Sequence, residues 1–300
     1  MRASTDIDLK QMLDRAQLPA LPQSAIRLLE LSQDPENGPA EFAVPIESDP
    51  GLTGQVLRFV NSSYFGFVQE ISSIKLAIAL VGIRTIKNFS LWSSVFSLMP
   101  NPKCGLFDLK GLWQDSVRRA LFARKFGKML ELAEAEELFA AALLQDMAVP
   151  LLAKELPSEY QSLFEARNDS TVRLSDLEQE RFGWTHAEAG ALMALGWKLP
   201  ESFASLIKSH VDDLDGPQLS AAESTMCLAA RLPSTFDRQW AERESFAEAY
   251  AALAGKDAPA VAGVLEEVDR DFGEFAPILK LAVPAQTLVE SFNENTAAAV

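Results

Sequence analysis

The sequence predicts an all-α fold, and three observations carry that expectation. Apolar residues recur at helical spacing: Ile26 and Leu29 share one face, Leu52, Val56, Phe59 and Val60 another, and Leu112, Val117, Ala120 and Phe126 a longer third. Proline repeatedly falls in a first-turn position, in Leu21-Pro22, Asp49-Pro50, Leu156-Pro157 and Leu199-Pro200, where its missing N–H costs nothing. No segment sustains the alternation of a half-buried strand, and β-branched runs are scarce.

Along the chain, the apolar stretch from Ile74 to Met99 superficially resembles a membrane span, but Lys75, Arg84 and Lys87 interrupt it. Its uncharged run is far short of the roughly 20 residues a bilayer needs, so it reads as two core helices joined near Gly82. The stretch from Met99 to Gly105 holds two prolines and a glycine and cannot continue a helix, which sets a boundary near residue 101. Two S/T-x-x-E capping boxes, Ser175 to Glu178 and Thr185 to Glu188, place helix starts near 176 and 186. Beyond Pro217 the chain turns acidic and alanine-rich, with helices expected around 218–232, 242–254 and 258–280. Three units result: 1–101, 102–217 and 218–300.

Composition narrows the function classes. With 48% hydrophobic residues in 300, the chain can bury a large core, while a formal net charge of -15 repels phosphate backbones and anionic bilayers alike. Neither nucleic acid nor membrane is an expected partner. Cys104 and Cys227 stand apart from any CxxC or Cys/His cluster and read as buried thiols of a reducing compartment. The charged amino terminus lacks the apolar core of a signal peptide, so a cytoplasmic location is expected.

Charge is unevenly spread: nine acidic residues face three basic ones between Glu242 and Glu274, against seven basic and two acidic from Asn101 to Leu130. The two segments could dock; two separately solvated faces is the preferred expectation. Within the basic segment Arg118, Arg119, Arg124, Lys125 and Lys128 offer a candidate anion-binding face, with a solvated helix surface preferred because the positions wrap widely around the helix. Trp113, Trp184 and Trp197 read as core and cap residues, and Tyr64, Phe65 and Phe67 as packing between subdomains, with an exposed interaction loop as the alternative. No Gly-rich phosphate loop or nucleophile elbow is present.

A series of blocks in order closely resembles the HDOD family: Leu18-Pro-Ala-Leu-Pro22, Ile46-Glu-Ser-Asp-Pro-Gly-Leu-Thr53, Asn61-Ser-Ser-Tyr-Phe-Gly66 and Ile71-Ser-Ser-Ile-Lys-Leu-Ala-Ile-Ala-Leu-Val-Gly82. It continues through Ala142-Leu-Leu-Gln-Asp146, His186-Ala-Glu-Ala-Gly190, Trp197-Lys-Leu-Pro200 and Ile207-Lys-Ser-His210, covering about residues 18 to 215. The resemblance implies a helical N-terminal subdomain packed on a bundle related to the HD phosphohydrolases, with additional C-terminal helices completing or flanking it. In those enzymes a His, a His-Asp pair and a distant Asp hold divalent metal that activates water for attack at phosphorus.

Carried over residue by residue, that set is degraded here. The first His position holds Asp115, the His-Asp pair becomes Gln145-Asp146, and the distant Asp falls on Ala230, in Cys227-Leu-Ala-Ala-Arg231. The chain's two histidines, His186 and His210, occupy places that carry additional ligands in two-metal relatives, so a residual site of Asp115, Asp146, His186 and His210 could hold iron, manganese or zinc. The simpler reading makes His186 a helix-start residue, His210 a partner of the last carbonyls of its helix, and Asp146 a buried relic paired with Gln145 or His186. No catalytic residue and no cofactor are expected. The resulting expectation is a non-catalytic bacterial signalling module acting on other signalling proteins. A phosphohydrolase with a rearranged site and a nucleotide sensor without turnover are the alternatives; the GYP signature of phosphodiesterase relatives is absent.

Overall fold

The computed structural model describes residues 7–294, apart from 17, 33, 35, 169–171, 215–218, 238 and the side chain of residue 278. Among them every regular element is a helix. The N-terminal set is α1 (Leu9–Ala16), α2 (Gln23–Leu31), α3 (Pro39–Glu47), α4 (Pro50–Val60), α5 (Ile74–Val81) and α6 (Ile83–Leu98). A central set follows: α7 (Leu109–Met129), α8 (Ala135–Leu144), α9 (Ala148–Glu155), α10 (Pro157–Asn168), α11 (Leu174–Phe182), α12 (His186–Gly196) and α13 (Glu201–Ser209). Then come α14 (Ala221–Ala230), α15 (Arg243–Ala254), α16 (Val261–Phe275) and α17 (Leu288–Asn293).

Local chemistry explains most of the punctuation. The Asp49 carboxylate accepts from the Leu52 N–H with Pro50 in the first turn of α4, and Thr185 with Glu188 forms the expected capping box on α12. Gly82 links α5 to α6 at φ +91°, a backbone that side-chain-bearing residues rarely adopt. The other expected box does not form. Helix α11 begins at Leu174 after Arg173, and Glu178 points inward with no exposure instead of capping its own helix. No helix among the described residues is long and apolar enough to cross a membrane.

Packing joins the sets through one continuous apolar core from Met12 to Leu288. Helix α7 lies at its centre, against α8, α14 and α16. At the end of α16, Phe275 is fully buried between Phe59 of α4, Phe89 of α6 and Phe139 of α8, with ring centroids 5.4, 6.5 and 6.0 Å away. A residue near the carboxyl end thus plugs the seam between the N-terminal and central helices. Tyr64 and Phe65 reach the same seam, Tyr64 lying 6.1 Å from the Phe275 ring and 4.8 Å from the Arg124 guanidinium, as packing residues should, whereas Phe67 is exposed.

The acidic and basic segments meet, contrary to the expectation of two solvated faces. Lys125 pairs with Glu267, and Arg118 sits 3.8 Å from Asp269 and 5.6 Å above the Phe272 ring. Arg118, Arg119 and Arg124 are 5%, 8% and 6% exposed, so most of the basic series is interior. It is neither a solvated stripe nor an open anion site: each guanidinium already faces a carboxylate or a ring. The amino end is stapled by indole N–H donors, Trp184 to the Ile7 carbonyl at 2.7 Å and Trp197 to the Pro19 carbonyl at 2.9 Å.

Phe275→Ala should cost about 3–5 kcal/mol, as removal of a buried aromatic does, measured by urea denaturation. A loss below about 1 kcal/mol would show that the C-terminal helices contribute little to the core.

Candidate functional site

Five helices converge on one buried carboxylate. Asp146, in the turn between α8 and α9, is 6% exposed. Its Oδ2 accepts from Arg119 Nη1 of α7 at 2.5 Å and, more weakly, from Gln145 Nε2 at 3.4 Å. Its Oδ1 lies 3.3 Å from His186 Nε2 at the start of α12 and 3.5 Å from His210 Nε2 after α13. Burial opposes the charge, but the Arg119 guanidinium and the histidines outweigh it and hold the Asp146 carboxyl well below its usual range.

Outer partners orient both imidazoles. His186 Nδ1 is 2.6 Å from Glu178 Oε2, whose other oxygen accepts from the Tyr160 hydroxyl at 2.7 Å. The same Glu178 oxygen accepts from the His186 backbone N–H at 2.7 Å, so this glutamate caps the neighbouring helix, not its own. His210 Nδ1 lies 2.6 Å from the Ile207 carbonyl, which fixes the proton there and leaves Nε2 as an acceptor. His186 Nε2, 3.2 Å from His210 Nε2, is therefore the donor of that pair. Burial opposes a charged ring at both sites. At His186 the Glu178 and Asp146 carboxylates prevail and raise it to about 9; at His210 burial prevails and lowers it.

Asp146 Oδ1, His186 Nε2 and His210 Nε2 form a triangle with edges of 3.2, 3.3 and 3.5 Å. Ligand bonds of about 2.0–2.2 Å in a tetrahedral site place donors roughly this far apart, so these three residues would hold a divalent transition ion. Such an ion would polarise a phosphoryl oxygen or activate water. The rest of the ligand set implied by the resemblance does not join them. Asp115 on α7 is fully engaged elsewhere: its carboxylate accepts from the Ser234 hydroxyl at 2.5 Å and from the Thr235 N–H at 2.9 Å. Gln145 offers a neutral amide, and Ala230 lines the same cavity without a donor. Arg119 competes for the one carboxylate that remains.

Above the cluster lies a cavity of about 350 Å³. Phe107, Phe164 and Phe236 form one wall, with centroid separations of 5.6, 6.3 and 6.5 Å. At the rim Arg167 meets Asp237 at 2.8 Å, while Glu242 is shared by Arg173 at 3.6 Å and Arg231 at 3.4 Å. Residues 231–237 and 239–242 therefore roof the cavity, tied down by Asp115 from below. The sequence reading grouped Asp115, Asp146, His186 and His210 as a residual site; the structure brings the last three together and leaves Asp115 out, and the reading missed Arg119 as the partner of Asp146, Glu178 behind His186 and the whole roof. These partners lie 8 to 120 residues apart in sequence, and no local spacing marks them.

The HDOD domain profile matches residues 18–212. An uncharacterized protein of Treponema pallidum (strain Nichols) is 23% identical over 194 residues, 64% of this chain; the chain spans 37% of that protein's length. A protein of Shewanella amazonensis SB2B whose name places it among the phosphohydrolases shares the fold with a TM-score of 0.72 at 22% identity, over 92% of this chain and 100% of that one. A protein of Marinobacter aquaeolei VT8 named for signal transduction does so with a TM-score of 0.61 at 20% identity, over 90% of this chain and 58% of that one. At these identities the structural likeness concerns the fold alone.

Asp115 carries a pH prediction. Burial pushes its carboxyl up to about 6, against the Arg119 guanidinium and the Ser234 and Thr235 hydrogen bonds. A carboxyl that binds its proton more tightly folded than unfolded adds stability as pH falls from about 6 toward 4 and withdraws it as pH rises through 6. Asp115→Asn should remove this component, so the stability difference between wild type and variant should shift toward wild type on acidification from pH 7 to 4.5. Urea unfolding at both pH values measures it, and a pH-independent difference would show that Asp115 stays ionised throughout.

Proposed function

The chain belongs to the HDOD family, and from that premise we propose that it is a non-catalytic regulatory module of bacterial signal transduction that works through contacts with other proteins. The observation that carries the reading is the pairing of Asp146 with Arg119. The one position kept from the ancestral ligand set is neutralised by a guanidinium of its own chain, while Gln145, Ala230 and the roof-bound Asp115 leave the other three positions without a free ligand of the original kind. A cation already held in the fold removes much of the electrostatic incentive to bind a second one. The family relation and the signal-transduction name of the Marinobacter protein agree with a regulatory role.

A metal-dependent phosphohydrolase is the second reading, favoured by the triangle of Asp146, His186 and His210 and by the name of the Shewanella protein. One experiment separates the two. Purified protein is loaded anaerobically with iron(II), manganese(II) or zinc(II), its metal content is measured by mass spectrometry, and hydrolysis of bis(p-nitrophenyl) phosphate is followed. No turnover above buffer is expected with any of the three ions. Metal-dependent turnover that disappears in Asp146→Asn would overturn the regulatory reading in favour of the enzyme.

A further inference from the structure

The part of the roof between Arg231 and Trp240 is bonded largely to itself. Trp240 donates its indole N–H to the Arg231 carbonyl at 2.8 Å, which joins the two ends, and its ring is seated on Phe246 of α15 and Phe292 of α17 with centroids 5.0 and 5.9 Å away. Inside this closed loop the Ser234 N–H donates to Asp237 Oδ2 at 2.8 Å and the Asp237 N–H to the Ser234 carbonyl at 2.9 Å. Leu232, beside the joined ends, is the only buried apolar side chain among its described residues. A loop with joined ends and internal bonds of its own keeps its shape when it moves as a body.

Few contacts hold that body down. Asp115 accepts from Ser234 and Thr235, Asp237 meets Arg167 at the partly exposed rim, and Phe236 faces Phe107 and Phe164 at 6.5 and 6.3 Å. Beneath it lies the cavity of about 350 Å³ instead of interlocked side chains, so lifting it gives up little of the dispersion that holds a close-packed core. The seating at Asp115 is nonetheless close. In the first turn of α7, a Cβ on Gly111 would stand 2.6 Å from Thr235 Oγ1. Glycine is a poor helix former beside alanine, and here it leaves the room that the seated loop requires.

We propose that residues 231–237, 239 and 240 form a lid that lifts as one body about its joined Arg231–Trp240 base and uncovers the cavity. Seated, it covers Phe107 and Phe164; lifted, it presents them. The inference goes beyond the regulatory reading, to which it adds two states with different surfaces, and it holds whether or not the cavity binds or converts a small molecule.

Residue-resolved hydrogen exchange of the full chain tests it, with urea unfolding as the measure of global opening. The Thr235 N–H bonds across to Asp115 at 2.9 Å, whereas the Asp237 N–H bonds within the loop, so the two amides separate lifting from unravelling. Thr235 should exchange at least about tenfold faster than global unfolding allows, with Asp237 slower relative to its free-chain rate. Gly111→Ala should speed Thr235 exchange about tenfold, the value of a hydrogen bond to a carboxylate, while leaving Asp237 and α8 unchanged. Because alanine favours the helix itself, that outcome cannot be put down to a general loss of stability. Arg167→Met, which releases Asp237 at the rim, provides a second variant and should act in the same direction, severalfold. Exchange of Thr235 only through global unfolding, loss of protection at Thr235 and Asp237 together, or a Thr235 rate unchanged in both variants would overturn the proposal.

Discussion

A carboxylate placed in the middle of a helical bundle must be neutralised and hydrogen-bonded, and the way Asp146 meets that demand organises the molecule. Removing a charge from water costs several kcal/mol, and only close, well-oriented partners offset it. Asp146 draws Arg119 from α7, Gln145 from its own turn, and the imidazoles at the start of α12 and the end of α13. Behind His186 stand Glu178 of α11 and Tyr160 of α10, both fully buried. Helices α7, α10, α11, α12 and α13 and the turn between α8 and α9 are therefore held in register by one polar network, where apolar packing alone would tolerate small shifts.

The same helix that neutralises Asp146 also fastens the carboxyl-terminal part of the chain. Going along α7, Asp115 ties the roof, Arg118 meets Asp269, Arg119 meets Asp146, Arg124 lies over Tyr64 and Phe139, and Lys125 meets Glu267. Because these positions wrap around the helix, they reach different neighbours instead of forming one face. That geometry converts an apparent charge run into a set of separate tie points, and it leaves the cavity bounded by side chains whose charges are largely spoken for.

How much of this was legible in the sequence follows from how local each feature is. The all-helical class, the Asp49 and Thr185 caps and the break at Gly82 depend on residues a few positions apart, and the structure has them. The Ser175–Glu178 pattern was equally local yet wrong, because Glu178 finds a stronger partner in His186, where a buried carboxylate faces a ring raised to about 9. Complementary charge between residues 101–130 and 242–274 was visible, but whether such segments dock or stay solvated depends on the apolar surface buried with them. Phe272 and Phe275 supply that surface. The Arg119–Asp146 pair, 27 residues apart, and the Ser234–Asp115 bond, 119 apart, carry no sequence signal of their own.

The functional reading depends on Arg119 and Asp146 acting as a unit, and a double-mutant cycle with Arg119→Met and Asp146→Asn measures that directly. If the pair neutralises itself within the fold, each single variant removes the main partner of a buried charge and is strongly destabilised. The double variant should then recover much of the loss, with a coupling energy of about 2 kcal/mol or more by urea unfolding. Effects additive within about 0.5 kcal/mol would mean that His186 and His210, not Arg119, neutralise Asp146, and would remove the observation on which the regulatory reading stands.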